Sequence, residues 1–161
     1  MPSPTPVQDR APAAWFRRVL VLLLGFGLIG LLADLLLLKH FEEFWQVAPL
    51  LLIGLALASI VWYSLGGGAA SLRLLRAMMM LFIVAGMAGV VLHYRGSLEF
   101  QIEMNPAQHG WALFRKVIQA KTPPALAPGI MVQLGLLGLA FAYRHPAFDR
   151  TSASSSRTKG A

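Results

Sequence analysis

Val19-Leu20-Val21-Leu22-Leu23-Leu24-Gly25-Phe26-Gly27-Leu28-Ile29-Gly30-Leu31-Leu32-Ala33-Asp34-Leu35-Leu36-Leu37-Leu38 is a run of twenty residues in which Asp34 alone is ionisable. Arg17 and Arg18 precede it, and Lys39 and His40 follow it. As a helix rising about 1.5 Å per residue, the run is roughly 30 Å long, one hydrocarbon thickness of a bilayer. A secretory signal would have a shorter apolar stretch ending on small residues suited to cleavage. This stretch ends on four leucines, so it reads as an uncleaved helix over about 17–39.

Working outward, the same pattern recurs three times. A second apolar segment covers about 45–64, with Trp45 and Trp62 near its ends, where an aromatic belt places them. Pro49 is read as lying in its first turn, where a missing N–H costs little. Gly66-Gly67-Gly68 then marks a turn. No Lys-Ser or Lys-Thr follows it, so it is not a phosphate loop. A third segment covers about 72–94, its uncharged core running from Ala77 to Leu92 and flanked by Arg73 and Arg76, which can snorkel. Met78-Met79-Met80 cannot converge on one ion, because consecutive helix residues diverge by about 100°. A fourth segment covers about 124–144, with Pro128 and Gly129 expected to bend its start. Residues 1–14, with four prolines, and 147–161, rich in serine, read as disordered tails around a membrane domain over 15–146.

Composition agrees. Hydrophobic residues make up 57% of the 161 residues and charged ones 13%, about half the share of a soluble domain. The expected fold is an all-α integral membrane protein: a four-transmembrane-helix bundle. The absence of cysteine excludes thiolate catalysis, thiolate metal sites and disulfides. The net charge of +7 does not indicate nucleic-acid binding, because the basic residues sit at helix ends and in tails.

Four spans sort the basic residues into two sets. Arg10, Arg17, Arg18, Arg73, Arg76, Arg144, Arg150, Arg157 and Lys159 fall on one side. Lys39, Arg95, Arg115, Lys116 and Lys121 fall on the other. The richer set belongs in the cytoplasm, so a bacterial inner-membrane protein with both termini cytoplasmic is expected. Glu42, Glu43, Glu99 and Glu103 then lie on the outer side, whereas Asp9 and Asp149 lie inside.

The outer loop between the third and fourth spans, 95–122, is the longest extramembrane segment. Leu98 to Met104 alternates apolar and polar residues, which predicts an extended stretch. Asn105-Pro106 reads as a helix start, with Asn as cap and Pro at the first position. Trp111, Phe114 and Ile118 share one face of the following residues, predicting a short amphipathic helix. It either lies in the outer membrane–water interface or packs on the bundle as a lid.

Chemistry-bearing groups gather at this outer end. His40, His93, His109, Glu43, Glu99 and Glu103 are the candidate metal ligands, although no His-x-x-x-His or Glu-x-x-His spacing links them. His40 and His93 could also hold a haem near the outer surface, but no inner histidine pair matches them. His145 stands alone and reads as an interfacial cation or a helix C-terminal cap. Asp34, within a span, either couples an ion or proton or pairs with Lys39, His93 or Arg95. No cofactor is expected, and no Gly-x-Ser-x-Gly, His-Glu-x-x-His or Walker motif points to an enzyme.

Small residues four apart (Gly54 and Ala58, Ala85 and Gly89, Gly138 and Ala142) and the cluster Gly25, Gly27 and Gly30 allow close helix packing in lipid. The leading expectation is a non-enzymatic accessory or assembly component, meeting membrane partners or its own copies through these faces. The alternative is a small transporter or ligand-handling protein using the outer cluster.

Overall fold

A computed structural model describes residues 10–39, 44–119 and 126–148. Among them every regular element is helical: α1 (Arg10–Leu37), α2 (Phe44–Ser64), α3 (Gly68–Met104), α4 (Gly110–Ile118) and α5 (Leu126–Ala142). Three segments are long and apolar enough to cross a membrane: Ala13–Leu37, Gln46–Ser64 and Gly68–Met104. The helix Leu126–Ala142 is apolar but shorter. Only 17–22% of each long segment is buried inside the chain. Large apolar side chains such as Phe26, Leu37 and Leu65 therefore point outward, the reverse of a water-soluble core.

Each of α1, α2, α3 and α5 packs against two others. α1 meets α2 and α5, and α3 meets α2 and α5. Leu24, Leu28, Leu31 and Leu35 alternate four and three residues apart, so one seam of α1 stays on the core. Ile53 and Ala56 of α2, Leu72, Leu75, Met79 and Phe82 of α3, and Met131, Leu134 and Phe141 of α5 complete it. Buried hydroxyls are satisfied locally, Ser59 donating to the Leu55 carbonyl at 2.7 Å and Ser71 to that of Gly68 at 2.9 Å.

Glycines set the closest approach, between α3 and α5. A Cβ on Gly86 would lie 2.6 Å from the Pro128 carbonyl oxygen, and one on Gly135 would lie 2.8 Å from that of Met79. Gly138 faces the Met79 side chain. Met79 is thus a packing residue, while Met80 faces outward. In contrast, among the described residues no atom beyond the local helix backbone lies within 4 Å of a Cβ placed on Gly25, Gly30 or Gly54.

The triple glycine is a tight turn for which each glycine has its own reason. Gly66 and Gly68 have φ of +97° and +55°. A Cβ on Gly67 would press on Trp62 at 2.7 Å. α1 and α5 instead end on left-handed non-glycine residues, Lys39 and Arg144, with φ of +51° and +45°.

The structure departs from the sequence reading at several points. α1 begins at Arg10, inside the expected tail. Pro49 is the sixth residue of α2, beyond its first turn. The larger correction concerns α3. The segment Leu98–Met104, expected to be extended, continues α3 to a length of 37 residues, about 55 Å. An established helix propagates cheaply, and Leu, Glu, Gln and Met all favour it. Seven alternating residues do not outweigh that.

Asn105 consequently ends α3 rather than starting the next helix. Its N–H donates to the Gln101 carbonyl at 3.1 Å, and its side-chain oxygen accepts from the Ala107 N–H at 3.3 Å. After this turn Gly110, at φ +59°, begins α4. The Phe114 ring lies 6.2 Å from that of Tyr94, ten residues back from the end of α3. α4 therefore runs back along α3.

Candidate functional site

Of the expected outer cluster, His40, Glu42 and Glu43 lie outside the described residues. His93, Glu99 and Glu103 are all exposed on α3. Because that helix does not stop, Glu103 lies about 15 Å along the axis from His93, too far to share an ion. His109 occupies the N-cap position of α4 with extended backbone and no side-chain capping bond. Among the described residues, no three His, Asp or Glu side chains come together as a metal-binding group.

Asp34 is exposed, turned away from the Leu24–Leu35 seam. Its carboxylate has no hydrogen-bond or ion-pair partner among the described residues, so the expected pairing with Lys39, His93 or Arg95 is not formed.

α4 exists as a short amphipathic helix, with its aromatic face turned away from the bundle. Leu113 and Val117, four apart, are buried, and among the described elements α4 packs on α3 alone. Trp111 is 73% exposed and stacks on Phe114 with ring centres 5.1 Å apart, and Ile118 is exposed beside them. Arg115 and Lys116 flank this outward aromatic face. In the preceding turn, the side-chain oxygen of Gln108 is buried without a hydrogen-bond partner among the described residues.

The densest polar site among the described residues is at the opposite end, around the histidine that sequence reading took for an interfacial cation or a helix C-terminal cap. His145 follows α5 and is 8% exposed. Its Nδ1 lies 3.2 Å from the Ala147 N–H, which can only donate. Nδ1 must therefore be bare, and the proton of the neutral ring sits on Nε2. Nε2–H then donates to the Tyr63 hydroxyl oxygen, 3.1 Å away. Tyr63 and Phe141 pack on the imidazole with ring centres 5.4 Å away in each case, and on each other at 5.6 Å. Beside them, the Arg17 guanidinium of α1 donates to the Arg144 carbonyl at 3.1 Å.

One histidine thus joins α2 to the end of α5, with α1 clamped alongside. Burial holds the imidazole below its usual pKa, and the Arg17 charge acts in the same direction. The bond accepted at Nδ1 fits the neutral ring of a structural histidine rather than an interfacial cation. The position of His145 just past the fourth apolar segment and that of Tyr63 at the end of the second put them at one end of the molecule. Nothing in their spacing along the chain announces the pair.

No family model matches the chain, and neither a curated protein nor a solved structure is significantly similar to it.

Proposed function

We propose that α1, α2, α3 and α5 cross a bacterial-type inner membrane with both termini in the cytoplasm, and that the protein is a non-enzymatic accessory or assembly component of a membrane complex. Support for the fourth span is that the 17 residues of α5 reach about 25 Å, the lower end of what a bilayer requires. α4 would lie at the outer interface. Trp111 and Phe114 would sit at headgroup level, with Arg115 and Lys116 toward phosphate.

The observation that carries the accessory reading is the division of small residues between inside and outside. Gly86, Gly89, Gly135 and Gly138 are used between α3 and α5. Gly30, Gly54 and Ala58 are exposed. In lipid, close packing across small residues is a main source of helix association. α1 and α2 thus keep surfaces of the kind that dock a further helix. The scattered outward placement of Asp34, His93, Glu99 and Glu103 gives the transporter reading less support.

The test is purification of the full chain from its membrane in mild detergent, with a photoreactive residue at Phe26 or Leu51 on the open faces. A cross-linked complex of defined stoichiometry is expected. A monodisperse monomer without cross-links would overturn the reading. A C-terminal reporter active only outside the cytoplasm would overturn the orientation.

A further inference from the structure

The geometry points to a second copy of this chain docked on the outward face of α5, with the two Gln133 amides hydrogen-bonded to each other across a twofold axis normal to the membrane. The inference rests on the reading of α5 as a span, and it concerns a surface other than the open faces of α1 and α2. α5 buries one side against the bundle, including Met131, Gly135, Gly138 and Ala142. Its opposite side is open. Leu126, Gln133 and Ala140 are all exposed and fall seven residues apart, with exposed Leu136 and partly buried Gly129 beside them. No described atom beyond the local helix backbone lies within 4 Å of a Cβ placed on Gly129. A seven-residue repeat keeps one seam of a helix on a parallel partner, and small residues in the seam let the two backbones approach.

Gln133 selects the occupant. It is the eighth of the 17 residues of α5, so about 10 Å of helix separates it from one end and about 14 Å from the other. Its amide has no hydrogen-bond partner among the described residues. Against lipid chains an unpaired amide is costly, and a neighbouring helix is where it finds a partner. A carboxylate or a cation at this depth would call for a partner of opposite charge. A carboxamide instead carries an acceptor oxygen and two N–H donors, so it complements itself. Copies inserted the same way hold Gln133 at the same depth, and a twofold axis sets a residue beside it against its own mate. Each carbonyl oxygen then accepts from the other copy's N–H. Placed at the centre of an apolar seam, one such polar pair fixes the register and the number of helices. Leu126 and Ala140 meet their own mates one heptad away on either side.

The chain has no cysteine, so Ala140→Cys places a single thiol on the seam. In cell membranes at low expression, mild oxidation is expected to link Ala140→Cys into a disulfide dimer. Leu139→Cys, which packs on the bundle, should give none. A photoreactive residue at Leu136 should give an adduct of twice the chain's mass. Gln133→Leu removes donor and acceptor from an exposed position, so its helical circular dichroism should be unchanged. In phosphatidylcholine–phosphatidylglycerol liposomes it should weaken dimerisation by about tenfold, read as energy transfer between labelled chains on dilution with lipid. Gln133→Asn keeps an amide and should keep the dimer. A native chain that is monomeric in these liposomes, a dimer indifferent to Gln133→Leu, or a Leu136 adduct with a different protein overturns the proposal. Should Gln133→Leu fail to fold, the lack of an Ala140→Cys disulfide overturns it equally. A charged maleimide applied to both faces of the membrane separates the two readings. Labelling of Leu137→Cys would remove the span and the dimer together, whereas a protected Leu137→Cys in a monomeric chain would remove the dimer alone.

Discussion

The Cα of Gly86 faces the main-chain carbonyl of Pro128 so closely that a methyl group on it would lie 2.6 Å from that oxygen. Backbone cannot swing aside as a side chain does, so Gly86→Ala must push α3 and α5 apart along the seam they share. Overpacking of this kind costs about 1–3 kcal/mol. Gly54→Ala, where no described atom beyond the local helix backbone lies within 4 Å, is the control and should be close to neutral for the isolated chain. Thermal unfolding of both variants in detergent, followed by circular dichroism, checks this. Equal midpoints would show that the seam is not where stability resides.

The apolar runs make the long helices readable because their length alone sets the element. Val19–Leu38 and Gly66-Gly67-Gly68 both behave as their composition dictates. The α3 extension was not readable, because Leu98–Met104 satisfies two periods over seven residues and only its attachment to an existing helix decides between them. That same extension sets Glu103 about 15 Å along the axis from His93, while His40 and Glu43 of the expected cluster lie outside the described residues. The sequence left open whether α4 lies in the interface or on the bundle, for a related reason. Both a Trp111–Phe114–Ile118 stripe and a Leu113–Val117 stripe exist in nine residues, and α3 accepts the smaller side chains. Tyr63 and His145 are 82 positions apart, and their meeting depends on how α2 and α5 pack.

α4 is held by two buried side chains. Leu113 is 8% exposed and Val117 is fully buried, and among the described elements the helix packs on α3 only. Truncating a buried leucine to alanine costs about 2–5 kcal/mol. Applied to a nine-residue helix with a single neighbour, that loss should appear as local opening. In Leu113→Ala, amide hydrogen exchange over 110–118 is expected to accelerate by at least about tenfold, the equivalent of 1.4 kcal/mol, while exchange in the α3–α5 seam stays unchanged. Acceleration across the whole chain would mean that α4 is integral to the bundle.

Lys39 ends α1 at φ +51°, a left-handed conformation that costs a residue bearing a Cβ roughly 1–2 kcal/mol. Glycine is the usual solution at this position. Lys39→Gly should therefore stabilise the protein by about 0.5–1 kcal/mol, the gain being reduced by the greater freedom of glycine in the unfolded chain. Lys39→Val should destabilise it, since a β-branched residue fits that region worst. Parallel unfolding curves of the two variants test the sign, and a lowered midpoint for the glycine variant would contradict it.

Acid should weaken the fold through His145. In the folded protein its pKa lies below the ordinary 6.5, by burial first and by the Arg17 charge second. Between the folded value and 6.5 the unfolded chain binds more protons than the folded one, so stability rises with pH across that window. The contribution is whole above about 6.5, declines as the pH falls through the window, and is lost below the folded value. The unfolding midpoint of the native chain should drop between pH 7 and 5 more than that of His145→Gln, which has no imidazole to charge. Arg17→Gln should narrow the window from below by letting the folded pKa rise. Titration curves of the three proteins that superimpose after a constant offset would show that the acid response arises elsewhere.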